Sequence, residues 1–147
     1  SVYEMSPFDN QLMIVELSGA ELRRIISEQA HRGSRRIGFS GMRVSVDCTD
    51  TIMSVAMHFN DGREIEDTDS VRVALTNYLA FGGDNVLRSV MPEGGFDAQP
   101  NAPMVRDIIL RSLKKRGGSV DTSDFDSSAS PRWQLPASMS RECRLLP

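Results

Sequence analysis

Residues Asn77-Tyr78-Leu79-Ala80-Phe81-Gly82-Gly83-Asp84 carry the most distinctive chemistry in the chain. They follow an apolar run, Val71 to Thr76, that reads as a strand. Two adjacent glycines let the backbone turn tightly against whatever lies beside it. The turn presents Asp84, with no Lys or Arg next to it in sequence, as a pair of acceptor oxygens near an aromatic ring. A ring face with a carboxylate one turn away suits a nucleoside. The base would stack on the ring and the carboxylate would accept from ribose hydroxyls. The same pattern also describes a tight β-turn holding a core tyrosine and a solvated aspartate.

Two other groups could touch a ligand. Phe39 lies between Gly38 and Gly41 at an expected strand bend, where glycines can leave a ring face open. The bland counterpart is a core phenylalanine on the buried face of that strand. Arg32, Arg35 and Arg36 follow the first expected helix and could hold a phosphate through charge-assisted, bidentate bonds, or form a solvated cluster. His31 and His58 stand alone, without metal-ligand spacing. No serine or cysteine sits in a nucleophile elbow and no Walker-type loop occurs, so the chain holds no complete catalytic constellation.

Several elements must position these residues. Residues Val2 to Met5 read as a short strand entering the turn Ser6-Pro7-Phe8-Asp9-Asn10. Gln11 to Leu17 reads as a strand apolar enough to be buried on both faces. Ser18-Gly19-Ala20-Glu21 has the form of a capping box, and the helix after it carries Leu22, Ile25, Ile26 and Ala30 on one stripe until Gly33. Arg36 to Asp47 and Ile52 to Phe59 alternate as strands, and Asn60-Asp61-Gly62 predicts a hairpin turn. Pro103 suits a first helical turn. Val105, Ile108, Ile109 and Leu113 form the stripe of a second main helix, ended by Gly117-Gly118. Strands mixed with two main helices, without clean alternation, predict a layered α+β domain over residues 1–118. Residues 119–147, rich in Ser and Asp, read as an extended or partly disordered tail that Trp133 could pin to the body.

Composition narrows the function classes. A chain of 147 residues can bury a core without staples. A net charge of −3 supplies no global basic field, which argues against nucleic acid as a partner. No apolar run reaches the length of a membrane span. Cys48 and Cys143 could form one disulfide or stay as two thiols, so cysteine usage leaves the redox compartment open. The chain begins at Ser1 without a methionine and is expected to be a fragment or a processed product.

In order along the chain come Pro7-Phe8-Asp9-Asn10, Leu17-Ser18-Gly19-Ala20-Glu21-Leu22, Phe39-Ser40-Gly41-Met42-Arg43 and Asn77 to Asp84. Together they resemble the C-terminal domain of the 5'-nucleotidase family, through most of the chain to about Gly118. The last block is close to that family's Asn-aromatic-Leu-Ala-x-Gly-Gly-Asp signature. The resemblance implies a layered α/β/β/α fold and a substrate-binding role. By position, Phe39 and Tyr78 are the two rings that sandwich the nucleobase, and Asp84 binds the ribose hydroxyls. Asn77, Gly82 and Gly83 belong to the same signature, and Arg32, near the end of the first helix, is the candidate phosphate contact.

The sequence departs from the family pattern in places. Tyr78 replaces the more usual phenylalanine, and Asn85-Val86 stands where glycine and an aromatic often follow. Gly41 stands where some members carry a base-contacting asparagine, and the family's phosphate-binding arginine segment, which normally precedes Pro7, is not in this sequence.

The resemblance further implies a partner, an N-terminal metallophosphoesterase domain of the same polypeptide. That domain would hold two divalent metal ions, and this chain would hold no cofactor and no metal itself. The implied substrate is a nucleoside 5'-monophosphate or related phosphate ester, hydrolysed in the periplasm, outside the cell or at its surface. The chain alone would be inactive. The alternative is a non-catalytic nucleotide-binding or protein-interaction module built on the same fold.

Overall fold

The computed structural model of the chain describes residue 4, residues 8–121, residue 123 and residues 128–145. Apart from Glu4, the strand expected over Val2 to Met5 lies outside the described residues, as do Ser6 and Pro7 of the turn after it. The architecture is mixed α+β with layered sheets, as the sequence predicts. The chain divides into two compact units, one of residues 1–16 and 72–126, the other of residues 17–71 and 127–147.

Strand β1 (Leu12–Ser18) and strand β4 (Ser70–Thr76) form a two-stranded sheet. Each runs from one unit into the other along the chain. Met13, Val15 and Leu17 are buried on β1, whereas Ile14 is 39% exposed and Glu16 faces solvent. This corrects the expectation of a strand buried on both faces. The period of two gives one covered face, and an apolar run alone does not reveal which residues lie on it.

Helix α1 (Gly19–Ala30) starts on the expected capping box. The Glu21 amide donates to Ser18 Oγ at 3.2 Å, and the Ser18 amide donates to the Glu21 carboxylate at 2.7 Å. A cap of this kind stabilises a helix by about 1 kcal/mol. Leu22, Ile25, Ile26 and Ala30 are all buried, as the stripe predicts. The helix start is docked by Gly19 N to Asp69 O (2.9 Å) and Ala20 N to Asp67 O (3.1 Å). Arg23, off the apolar stripe, pairs with Asp67 at 2.8 Å and donates to the Val55 carbonyl, tying the helix to the sheet below it.

That sheet is four-stranded, in the order β5-β2-β3-β6. Strands β2 (Met42–Thr49) and β3 (Ile52–Phe59) are antiparallel, with Thr49 opposite Ile52. Asp50 and Thr51, at φ 50° and 67°, make the two-residue turn, the left-handed pair that matches strand twist. Val44, Val46, Met53, Val55 and Met57 face the core. The strand expected from Arg36 begins only at Met42. Gly41 adopts φ 93°, and residues 36–40 run without regular structure. Here the glycine ends the alternation instead of bending a continuous strand.

Within residues 119–147, strands β5 (Trp133–Gln134) and β6 (Arg144–Leu145) add to the edges of this sheet, each parallel to its neighbour. Cys143 is fully buried and joined to Cys48 by a disulfide across 95 residues, which resolves the two possibilities left open by the sequence.

In the other unit, β4 leads into the one-turn helix α2 (Asn77–Ala80), and helix α3 (Val105–Lys115) follows the loops. Pro103 lies before the N-cap residue Met104, not in the first turn, and its carbonyl accepts from Leu12 N at 2.9 Å. None of Val105, Ile108, Ile109 and Leu113 is buried, so the second stripe exists in sequence without a fully covered counterpart.

Candidate functional site

The signature residues Asn77, Tyr78, Gly82, Gly83 and Asp84 come together in one unit. Thr76 caps α2 by accepting from Leu79 N at 3.3 Å. Asn77 is a clamp: its Oδ1 accepts from Gln11 N (3.1 Å) and Tyr78 N (3.0 Å), and its own amide donates to Gln11 O (2.9 Å). An Asn bonding nearby backbone in this way fixes the start of a turn. Asn77 therefore positions Tyr78 through the backbone.

Tyr78 projects outward and is 51% exposed. Its ring lies on the backbone of Gly83, so close that a Cβ at that residue would come within 2.6 Å of the ring carbon Cζ. Glycine at 83 is thus required by the ring, since the residue lacks the positive φ that would otherwise explain it. Gly82 has the left-handed conformation, φ 102°. Asp84 and Asn85 follow at φ 52° and 53°. Two consecutive left-handed residues with side chains cost about 1–2 kcal/mol each, held by the surrounding turn. The result is that the Tyr78 hydroxyl donates to Asp84 Oδ1 at 3.1 Å. A half-open aromatic face now ends in a carboxylate, an arrangement that can stack a flat ring and accept hydrogen bonds from hydroxyls beside it.

Phe39 and Arg32 belong to the other unit. Phe39 is half-buried and meets Trp133 edge-on, with ring centroids 5.2 Å apart and an interplanar angle of 60°. The Trp133 indole N–H donates to Ile37 O at 3.2 Å, and the Arg36 guanidinium lies 5.7 Å from the Trp133 ring centroid. Trp133 does pin the C-terminal segment to the sheet, as its apolar bulk in a polar stretch suggests. Arg32 is exposed just past the end of α1, where its amide donates to Gln29 O at 3.0 Å.

The cleft beside this helix end, about 780 Å³, is lined by His31, Gly33 and Arg36 and by Arg141 and Arg144 from the C-terminal segment. Sequence reasoning did not single out Arg141 or Arg144. Their spacing of three residues is the only signal, and it means little until β6 places them. Among the described residues no three or more His, Cys, Asp or Glu side chains gather as a metal ligand set. Among the same residues, no helix is long and apolar enough to cross a membrane.

The sequence model of the "5'-nucleotidase, C-terminal domain" family matches residues 1–91. No curated protein sequence matches the chain. Among solved structures, a 5'-nucleotidase precursor from Thermus thermophilus is similar at 19% identity and a TM-score of 0.61, over 94% of this chain and 27% of that one. A second, described as a 5'-nucleotidase from Staphylococcus aureus in complex with alpha-ketoglutarate, is similar at 14% identity and a TM-score of 0.53. That match covers 91% of this chain and 29% of the other. The chain thus spans under a third of either protein, and at these identities the likeness speaks to fold alone. With the family model covering more than half of its residues and the fold in agreement, this chain belongs to the 5'-nucleotidase C-terminal domain family.

Proposed function

We propose that this chain is the substrate-binding domain of a metal-dependent 5'-nucleotidase-type phosphoester hydrolase. Its ligand is a nucleoside 5'-monophosphate or a related phosphate ester. The observation that carries the reading is the pairing of the exposed Tyr78 ring with the Asp84 carboxylate, set by Gly83 and by a strained turn. The base stacks on Tyr78 and the ribose hydroxyls donate to Asp84. In the same reading Phe39 is the second ring and Arg32 contacts phosphate. The binding domain spans residues 1–118, with residues 119–147 as its C-terminal extension.

In this reading two divalent ions belong to an N-terminal metallophosphoesterase domain of the same polypeptide. There they would activate water and stabilise the phosphoryl transition state. This chain contributes binding and orientation. The parent protein acts in the periplasm, outside the cell or at its surface, where the Cys48–Cys143 disulfide is at home.

Titration of adenosine into the chain, followed by NMR, tests the reading. Tyr78→Ala should abolish measurable binding. Asp84→Asn, which keeps a side chain tolerant of the left-handed backbone, should weaken it by about tenfold to a hundredfold, the worth of hydrogen bonds to a charged group. The chain alone, supplied with divalent metal, should not hydrolyse AMP. Equal or unmeasurable binding by all three proteins would refute the proposal.

A further inference from the structure

We propose that the cleft at the end of α1 binds an organic anion, a phosphate or carboxylate carried on an apolar body, through Arg36, Arg141 and Arg144. Arg36, Arg141 and Arg144 line it together with His31, and among the described residues no Asp or Glu lines it. Among the described residues none of the three arginines is paired with a carboxylate. Like charges gathered without a counter-charge repel one another, and a bound anion relieves that repulsion while accepting bidentate bonds. The rest of the lining, including Ala30, Leu135 and Met139, is apolar. At about 780 Å³ the cleft lies within the range that holds small organic ligands.

The walls are held before any ligand arrives. Arg36 is steadied over the Trp133 ring at 5.7 Å. Arg144 donates to the carbonyls of Cys143, at 2.8 Å, and of Arg141. His31 Nε2 lies 3.0 Å from the same Cys143 carbonyl, and the disulfide to Cys48 ties that wall to β2. The negative end of α1 opens toward the cleft and opposes an anion. Its partial charge is about half an elementary charge, smaller than that of three guanidinium groups. Arg141 and Arg144 lie beyond residues 1–91, so the family match does not reach these two of the three arginines. It stands within one unit and does not depend on Tyr78 or Asp84.

The probes are phenyl phosphate, benzoate, inorganic phosphate and phenol, titrated into the 147-residue chain while following the emission of its single tryptophan, Trp133. Phenyl phosphate should bind at least tenfold more tightly than inorganic phosphate or phenol, and added salt should weaken it. Benzoate distinguishes a carboxylate-preferring site from a phosphate-preferring one, and either supports the proposal. Arg141→Gln, at an exposed position, should weaken binding about tenfold or more with the melting temperature unchanged. Tyr78→Ala should leave phenyl phosphate affinity unchanged while abolishing that for adenosine. Phenyl phosphate binding without adenosine binding would sink the nucleoside reading and leave the cleft standing. Absence of phenyl phosphate binding, or equal binding by wild type and Arg141→Gln, would overturn the cleft proposal whatever adenosine does.

Discussion

Replacing Gly83 with alanine separates ligand binding from folding more cleanly than removing Tyr78 itself. The new Cβ would lie 2.6 Å from Tyr78 Cζ, where ordinary van der Waals contact needs at least 3.4 Å, so the ring must move by most of an ångström or swing away. It is half-exposed and has room to do so. Folding should feel little. The Tyr78–Asp84 hydrogen bond contributes about 0.5–1.5 kcal/mol, while alanine in place of glycine at an ordinary φ returns about 0.4–1 kcal/mol through the unfolded chain. The net change is within about 1 kcal/mol. Binding should feel much more, because stacking of a base on an aromatic side chain contributes about 1–3 kcal/mol, or a fivefold to hundredfold loss of affinity. Calorimetric melting and an adenosine titration on the same sample read both quantities. Wild-type affinity in a folded Gly83→Ala protein would show that the ring position seen here is irrelevant to the ligand.

Three further outcomes follow from the fold. Reducing the Cys48–Cys143 disulfide, which closes a loop of 95 residues, should lower stability by about 4.7 kcal/mol on the chain-entropy model, read as a shift in the denaturant midpoint that Cys143→Ser reproduces. Gly19→Ala should destabilise by about 3 kcal/mol, because its Cβ would overlap the Glu66 carbonyl against which α1 starts; an unchanged melting temperature would contradict that packing. The Glu66 amide and the Arg63 guanidinium, both bonded to Asp69, hold its carboxyl below the usual carboxylate range. A depressed folded-state value contributes stability that is present above the unfolded value and lost as pH falls through the folded one. Melting curves of wild type and Asp69→Asn should therefore differ at neutral pH and converge in acid.

Much of the fold was legible because local chemistry decided it. The capping box at Ser18 and Glu21 and the stripe of Leu22, Ile25, Ile26 and Ala30 are read from spacing, and they settle where α1 starts and which face it buries. The Gly82-Gly83-Asp84 turn announces itself in the same way. Reading failed where a distant partner decided the outcome. Gly41 could bend a strand or end it. Ile14 and Leu17 are equally apolar, yet only one side of β1 is covered. The stripe on α3 predicts a helix correctly but cannot say whether anything covers it.

Residue order alone determined the family blocks, the helix caps and the unusual Tyr78–Asp84 turn, since each is written in neighbouring residues whose interactions are short-ranged. Tertiary structure decided the rest: the disulfide between Cys48 and Cys143, Trp133 against Phe39, the ring of Tyr78 over Gly83, and three arginines from two distant segments around one cleft. Such contacts depend on how strands register and where chain ends return. That is settled by the burial of the whole core and cannot be read from any one stretch of sequence.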